Sequence, residues 1–388
     1  MSRATGPLHG LRVVAVEQAV AAPLCSRHLA DLGADVIKVE RPDGGDFARD
    51  YDTFVKGMAS HFVWLNHGKR SVALDLKSDG GRRALVELLA TADVLLSNLG
   101  PGAIERIVSL DELAEINPRL VSCQISGYGP GGPYRDRKAF DLLVQGEAGV
   151  TANTGLPGAP AKPGVSLADL AAGIYAGTAI LAALRARDAS GRGEHVHISM
   201  FDVLTEWMSP LLLAHREGGV DIQPAGTRHA TITPYGPFTA ADGGVLNIAV
   251  QNDRQWRQLC GVLGLEVMGT DERFATNSRR LAAREEVESA IADAVGARRH
   301  DEVAIALDDA GVPWGRLNHT PAVATHPQLE ADGRWRPVHL PAGDIASVLA
   351  PPFRISGFEP AGDVAVPALG EHTEEVLGPL LPEVSRHG

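Results

Sequence analysis

The sequence predicts an α/β fold: a parallel sheet covered by helices on both faces, followed by a smaller α+β domain. Two patterns carry this expectation. Through the first half, short runs rich in Val, Ile and Leu alternate with segments of helical periodicity. Those runs are apolar throughout rather than at every second residue, as in strands buried on both faces of a parallel sheet. Beyond residue 216 the alternation stops, and the 388 residues are enough for two domains.

The strand candidates are residues 11–17 (LRVVAVE), 35–41 (DVIKVER), 71–76 (SVALDL), 93–99 (DVLLSNL) and 120–128 (LVSCQISGY). Helical patterns fill 22–34, 79–92 and 110–117. A long run of small and apolar residues at 164–184 reads as a further helix, followed by a strand at 193–200 and a helix at 201–215. Residues 216–236 are rich in Gly, Pro and Thr and read as a linker or long loop. A hairpin pattern at 237–250 turns at Asp242-Gly243-Gly244. Helices are expected at 252–264, 280–297 and 301–311, and from about 312 the irregular, Pro-rich chain reads as a tail draped over the large domain.

Composition excludes several classes. Lys and Arg number 36 against 48 Asp and Glu, a formal net charge of −12, so no global basic field invites nucleic acid or an anionic membrane. A local basic pocket for an anionic ligand remains compatible with that charge. No charged-then-apolar leader opens the chain, and no uninterrupted apolar run reaches the ~18–20 residues of a membrane span. The three cysteines, Cys25, Cys123 and Cys260, are far apart and form no CxxC, which suggests neither a disulfide frame nor a zinc site. The expectation is a cytoplasmic, metal-independent protein. No GxGxxG follows the first strand, where VEQAVAAPL stands, and there is no GxxxxGK[ST], which argues against a dinucleotide site or a P-loop.

Three places could carry chemistry. The glycine-rich stretch 125–141 permits close backbone approach to a ligand, with Arg135, Arg137 and Lys138 able to hold phosphate; it also reads as a surface loop with solvated charges. Residues 98–106 combine a strand end, a tight turn and a helix start that suits an anion, or form an ordinary βα turn. Asp169 is almost alone as a charge in 164–184, and both it and Ser166 are N-cap or first-turn types. Asp169 is therefore either a capping carboxylate or a partly desolvated nucleophile or base. In the second reading its Ala and Gly neighbours leave room for an electrophile to come within about 3 Å.

Motifs along nearly the whole chain resemble the class III CoA-transferases of the CaiB–BaiF type. That family includes formyl-CoA transferase and carnitine CoA-transferase and is related to the 2-methylacyl-CoA racemases. Residues 8–49 resemble its first βαβ unit and glycine-aspartate turn, and NHGKRSVALDLKSDGGR (66–82) follows its N-x-x-KRS-x-x-LDLK pattern. ADVLLSNLGPGAIER (92–106) resembles ADV-x-x-x-N-F-x-PG, with Leu99 in place of the usual Phe. ISGYGPGGPYRDRKAFD (125–141), ALRARDASGRGEHVHISMFD (183–202), GVPWGRLN (311–318) and LGEHTEEVL (369–377) follow in family order.

The resemblance implies that Asp169, in VSLADLAAG, is the nucleophile of a ping-pong transfer. It would pass through an aspartyl mixed anhydride and an Asp169–CoA thioester, with coenzyme A entering as substrate and no permanently bound cofactor or metal. It also implies that Val20, Ala21, Arg41, Leu74, Asn98, Leu99, Arg106, Lys138 and Phe140 line the CoA groove, with Arg41, Arg106 and Lys138 as its local positive charge. In the racemases a His stands where this chain has Phe140, and the local sequence offers no substitute, which favours a transferase. A non-catalytic CoA-binding protein is a third reading, against which the intact Asp169 counts. No glycine-rich flap of the oxalate enzymes appears between 216 and 260, and 141–169 and 228–238 look closer to members acting on short dicarboxylates. Arg228 and His229 are candidates for the acceptor's carboxylate. The implied architecture is an interlocked homodimer. Each chain has a large Rossmann-like domain from 1–222 and 326–388 and a small α+β domain from 223–325.

Overall fold

The computed structural model describes residues 6–380 and turns the apolar runs of the first half into one parallel sheet. The chain runs through β1 (Arg12–Val16), α1 (Ala21–Asp31), β2 (Asp35–Glu40), α2 (Ser60–Asn66), β3 (Arg70–Ala73) and α3 (Asp79–Ala90). It continues with β4 (Val94–Ser97), α4 (Leu110–Ile116), β5 (Val121–Ser126), α5 (Asp141–Glu147) and α6 (Val150–Asn153). A ribbon of β6 (Gly155–Leu156) and β7 (Ala159–Pro160) precedes α7 (Leu167–Ser190), β8 (His195–Ser199) and α8 (Met200–Trp207). The large sheet has the order β3-β2-β1-β4-β5-β8 with every neighbour parallel. The chain thus winds outward from β1 to β3 and returns to β4 on the other side of β1. The segments leaving β1 and β4 diverge, and that divergence opens a crevice at the carboxyl ends of the strands.

The run at 164–184 belongs to the 24-residue α7, whose Ala168, Ala171, Ala172, Ala176 and Ile180 are fully buried. By length and composition this helix could cross a membrane, although the apolar run as read from the sequence falls short of a span. Its small residues serve a close crossing with α1. A Cβ added at Gly173 would lie 2.5 Å from the Ala21 carbonyl oxygen and 3.2 Å from Leu24 Cβ. At Gly173 the space is taken by α1 rather than left open for a ligand.

Contacts divide the chain into a larger unit (Met1–Ala148, Pro163–Met208 and Gln328–Gly388) and a smaller one (Gly149–Lys162 and Ser209–Pro327). The bounds differ from the 222/223 and 325/326 expected from the sequence. The reading of 201–215 as one helix is also corrected. The helix stops at Trp207 and α9 (Ser209–Gly218) starts afresh, with Pro210 lacking the N–H a continuous helix would use.

In the smaller unit the expected hairpin is present as β9 (Tyr235–Thr239) and β10 (Val245–Ala249), with Gly243 at φ +80° in its turn. β11 (Trp314–Arg316) adds to β10, and α10 (Asp253–Leu263) contributes Trp256 and Leu259 to a core shared with Leu246, Ile248, Val287 and Ile291. The helix expected at 280–297 is two, Asn277–Ala282 and Arg284–Gly296, parted at Ala283.

From Gln328 on the tail belongs to the larger unit as expected, whereas residues 312–327 belong to the smaller one, and the tail is not irregular. β12 (Trp335–His339) and β13 (Ile345–Leu349) form a hairpin joined by β14 (Val364–Ala365). Val338, Leu340, Val348 and Val366 bury against Phe62 and Val63 of α2. The His372 N–H then donates to the Ser71 carbonyl, and the Ala73 N–H to Thr373 Oγ1, both on β3. Residues 381–388, the end of the tail, lie outside the described residues.

Substituting Gly173→Ala should lower stability by about 1–3 kcal/mol through overpacking against Ala21, seen as a lower urea midpoint at unchanged slope. Gly177→Ala, whose Cβ would meet nothing nearer than Cys25 Sγ at 3.9 Å, should leave the midpoint unchanged or raise it. Equal midpoints for the two variants would contradict the tight crossing.

Candidate active site

The crevice between the ends of β1 and β4 is occupied by a cavity of about 450 Å³. Its lining follows the strand ends: Gln18, Ala19, Val20 and Ala21 after β1, Asn98 to Pro101 after β4, Ile125 and Ser126 at the end of β5 with Gly127 after it, and Met200 after β8. Arg137 to Leu142, Ser166 and Asp169 complete it together with Phe47, Tyr51 and His61. All of these residues belong to the larger unit.

Asp169 is the third residue of α7 and is partly buried. Ser166 stands at the N-cap but its side chain caps nothing. The Ala168 N–H instead donates to Oδ1 of the buried Asp141 at 2.9 Å, and Gln145 Nε2 donates to its Oδ2 at 2.7 Å. A carboxylate from α5 therefore does part of the capping that the sequence assigns to Ser166 and Asp169. The positive ends of α1 and α7 both border the cavity, through Val20 and Ala21 and through Ser166 and Asp169, a setting that favours developing negative charge.

The loop after β1 is clamped. Asn98 Oδ1 accepts from the Gln18 N–H at 3.0 Å while its Nδ2 donates to the Gln18 carbonyl at 2.8 Å. Across the site, Phe47, Tyr51, His61 and Trp64 form a chain of ring contacts with centroids 5.7–6.2 Å apart. Partial burial, reinforced by the carboxylates of Asp46 and Asp169, pushes the Tyr51 phenol up to about 12, so it is a neutral donor near Asp169.

Of the residues named by the resemblance, Val20, Ala21, Asn98, Leu99, Lys138, Phe140 and Asp169 meet at this cavity. Three do not line it. Arg41 is exposed and turns back onto the Gly45 carbonyl (3.0 Å). Leu74 lies beyond β3, two strands from the switch, and is packed in the core beside Val72 and Leu85. Arg106 is exposed at the rim, its Nη1 donating to the Pro101 carbonyl at 3.5 Å. The positive charge expected from Arg41, Arg106 and Lys138 comes instead from Lys138 and Arg137. Arg137 is paired with Glu147 at 2.8 Å and lies over the Tyr134 ring.

Gln18, Tyr51, His61 and Asp141 were not among the candidates. Asp141 ends the quoted 125–141 motif and was legible there; Tyr51 and His61 lie between two strands in a stretch without periodicity. No histidine stands beside Phe140, but His61 reaches the same cavity from another part of the chain. In the smaller unit Arg228 is paired with Glu288 at 2.9 Å, and His229 stacks on Tyr235 with centroids 5.3 Å apart. Among the described residues no group of three or more His, Cys, Asp or Glu could hold a metal, and Cys25, Cys123 and Cys260 are free and buried.

The sequence profile of CoA-transferase family III matches residues 8–373. The chain belongs to that family. A succinate–glutarate CoA-transferase of Agrobacterium fabrum is 35% identical to it over 383 residues, covering 96% of each chain. An acetyl-CoA:oxalate CoA-transferase of Acetobacter aceti is 34% identical over 357 residues, 91% of this chain and 90% of the relative. A crystal structure of a CaiB/BaiF family protein from Brucella suis superposes with a TM-score of 0.84 at 34% identity, covering 97% of this chain and all of that one. The protein is thus an enzyme of the CoA-transferase class, with acyl-CoA and a carboxylic acid as the substrates of such enzymes.

In this CoA-transferase a buried ion network underlies the cavity. Glu40 Oε1 accepts from Arg49 Nη2 (2.7 Å) and Ser71 Oγ (2.6 Å), and its Oε2 from Arg49 Nε (2.8 Å). Burial alone would raise this carboxyl, but the Arg49 bonds, with Lys38 nearby, hold it at about 2 against an ordinary 4.5. A depressed carboxylate stabilises the fold above its unfolded value and stops doing so as pH falls through its folded value. On the order of 3 kcal/mol should therefore be lost between pH 4.5 and 2. Urea unfolding across that range should show the decline, and Glu40→Gln should flatten it; an equally steep decline in the variant would assign the loss to other carboxylates.

Proposed function

We propose that the enzyme moves coenzyme A between short dicarboxylic acids, with Asp169 as the covalent carrier. The observation behind this reading is the position of Asp169: on the first turn of α7, in a cavity at the β1/β4 switch, beside the start of α1. The Asp169 carboxylate attacks the thioester carbonyl of the donor acyl-CoA. The C–S bond breaks, CoA thiolate leaves, and a mixed anhydride remains. The thiolate then attacks the aspartyl carbonyl and expels the donor carboxylate, leaving an Asp169–CoA thioester. The acceptor carboxylate runs the same two steps in reverse. Anhydride and thioester are both activated acyl species, so the exchange needs little net driving force. Helix amides at the starts of α1 and α7 and the neutral Tyr51 phenol are positioned to steady the oxyanions. Val20, Ala21, Asn98, Leu99, Lys138 and Phe140 line the CoA path, with Arg106 at its rim.

The dicarboxylate preference rests on the named substrates of the relatives and on Lys138 and Arg137 at the cavity, which suit a doubly charged acid. The functional unit is an interlocked homodimer. Ile174 and Leu181 on α7 and Trp207 on α8 are exposed in the single chain, as surfaces covered by a second copy would be.

Asp169→Ala should lose at least a thousandfold in transfer while still binding CoA. Mass spectrometry of the parent incubated with succinyl-CoA should find a CoA adduct, or with hydroxylamine a hydroxamate, on the Asp169 peptide. An Asp169→Ala variant as active as the parent would remove the proposal. With succinyl-CoA as donor, four- and five-carbon diacids should exceed both oxalate and acetate as acceptors in kcat/KM; a preference for oxalate would overturn the expected chain length, and one for acetate the dicarboxylate class.

His61, which lines the same cavity as Asp169, is the observation that favours a racemase. Incubation of a 2-methylacyl-CoA in heavy water should give no α-deuterium, and deuterium uptake that disappears in His61→Gln would support that second reading instead.

A further inference from the structure

The Gln18–Ala21 wall of the cavity contains a backbone conformation that its sequence does not favour. Ala19 sits at φ +64°, the left-handed region in which an alanine Cβ crowds the following carbonyl. Conformations of this kind persist only where surrounding bonds impose them, and they gather at functional sites. Asn98 holds the Gln18 side of the turn through the two bonds described above. The other side is held by a residue that does not itself line the cavity. The Ala19 N–H donates to Oδ1 of Asp46 at 3.0 Å.

Asp46 is only 3% exposed, and each of its polar atoms has a partner. The oxygen that holds Ala19 also accepts from the Ala48 N–H at 2.9 Å. Its Oδ2 accepts from Lys38 Nζ at 2.8 Å, and its own N–H donates to Glu40 Oε2 at 3.0 Å. Lys38 is completely buried and reaches Glu17 at 3.4 Å, the residue just before the loop. One carboxylate therefore joins two segments that both supply walls: Gln18–Ala21 on one side, and the turn carrying Phe47 and Tyr51 on the other.

We propose that Asp46 is a positioning residue, holding the Ala19 amide in its left-handed turn and so fixing the Gln18–Ala21 wall in register with Phe47 and Tyr51. It acts through Ala19 and touches no substrate. The inference rests on reading this cavity as the acyl-CoA site. A plainer role is that Asp46 only neutralises Lys38 and stabilises the core. The two roles separate at Ala19, because glycine reaches φ +64° without a Cβ penalty and so depends less on the carboxylate.

The experiment is a double-mutant cycle of Asp46→Asn and Ala19→Gly, read as kcat and KM for transfer from succinyl-CoA to glutarate, as the CoA dissociation constant, and as melting temperature. Asp46→Asn should lower kcat/KM by roughly tenfold or more and weaken CoA binding. Adding Ala19→Gly should recover several-fold of both without restoring the melting temperature. Unchanged kcat/KM and CoA affinity in Asp46→Asn, or losses that combine independently with those of Ala19→Gly, would overturn the proposal. Should Asp46→Asn fail to fold, Ala19→Val with Asp46 intact puts a β-branched residue in the same turn. Lower kcat/KM and CoA affinity are expected there, and parent values would refute the role. The cavity reading fails separately, if the parent transfers no CoA or Asp169→Ala keeps full activity; the cycle in CoA affinity then still tests Asp46.

Discussion

Gly173 lies one helical turn beyond Asp169 on the same face of α7, and its missing side chain lets that face rest on the Ala21 carbonyl. Much of the site depends on that contact. With Gly173 against the first residue of α1, Asp169 is carried to the segment where β1 hands over to α1. That segment is also the point at which the sheet reverses its winding, so it borders the open crevice. A larger side chain at Gly173 would lift the carboxylate away from Val20 and Ala21. The stripe of small residues is thus a packing device whose consequence is the placement of Asp169 at the cavity.

The electrostatics divide by depth. The chain carries a formal charge of −12, yet cations are placed wherever a carboxylate must be buried near the site. Lys38 and Lys69 flank Glu17, and Arg49 holds Glu40. Burying such groups is unfavourable unless every charge is met, and removing one partner leaves another stranded. Among these residues the pairing is close: Lys69 Nζ reaches Glu17 at 2.7 Å, the Pro23 carbonyl at 3.0 Å and Asn66 at 3.0 Å. The network links β1, β2 and α2, so loops from three elements reach one cavity with defined geometry. At the cavity itself the cations are Arg137 and Lys138, on an exposed segment where they can meet a ligand without such desolvation.

How much of this was legible follows from the range of each signal. Strand runs such as LRVVAVE and DVIKVER are local and apolar throughout, so the parallel sheet could be read from them. The cavity residues on strand-end loops, Val20, Asn98 and Leu99, came from the family resemblance, and the structure does bring them to the strand ends. Arg41 and Leu74 sit equally close to strand ends, but sequence proximity does not report direction: one side chain folds back on a carbonyl and the other into the core. Tyr51 and His61 were invisible because a stretch without periodicity leaves no trace of which side chains it sends inward. The tail hairpin was missed for another reason. Pro337, Pro341 and the prolines at 351 and 352 mask the alternation of Val338, Ile345 and Val348, and a proline-rich stretch reads as irregular even though Pro337 sits in β12 ahead of the residues that pair with β14.

Asp141 and Asp169 show how one cavity can give two carboxylates different work. Asp141 is buried, and its oxygens accept from the Ala168 amide and from Gln145, which keeps them occupied at the helix start. Those same bonds steady the start of α7, and with it the backbone that carries Asp169. Asp169 is one residue further along the helix, partly open to the cavity, at the positive end of the dipole. Under the proposed mechanism, exchanging the two roles would put the attacking carboxylate behind the helix start and the capping one in the path of the thioester. The motif ending in Phe140-Asp141 and the VSLADLAAG segment are therefore parts of one device. Neither sequence is fully explained without the other, although 27 residues separate Asp141 from the Ala168 amide it holds.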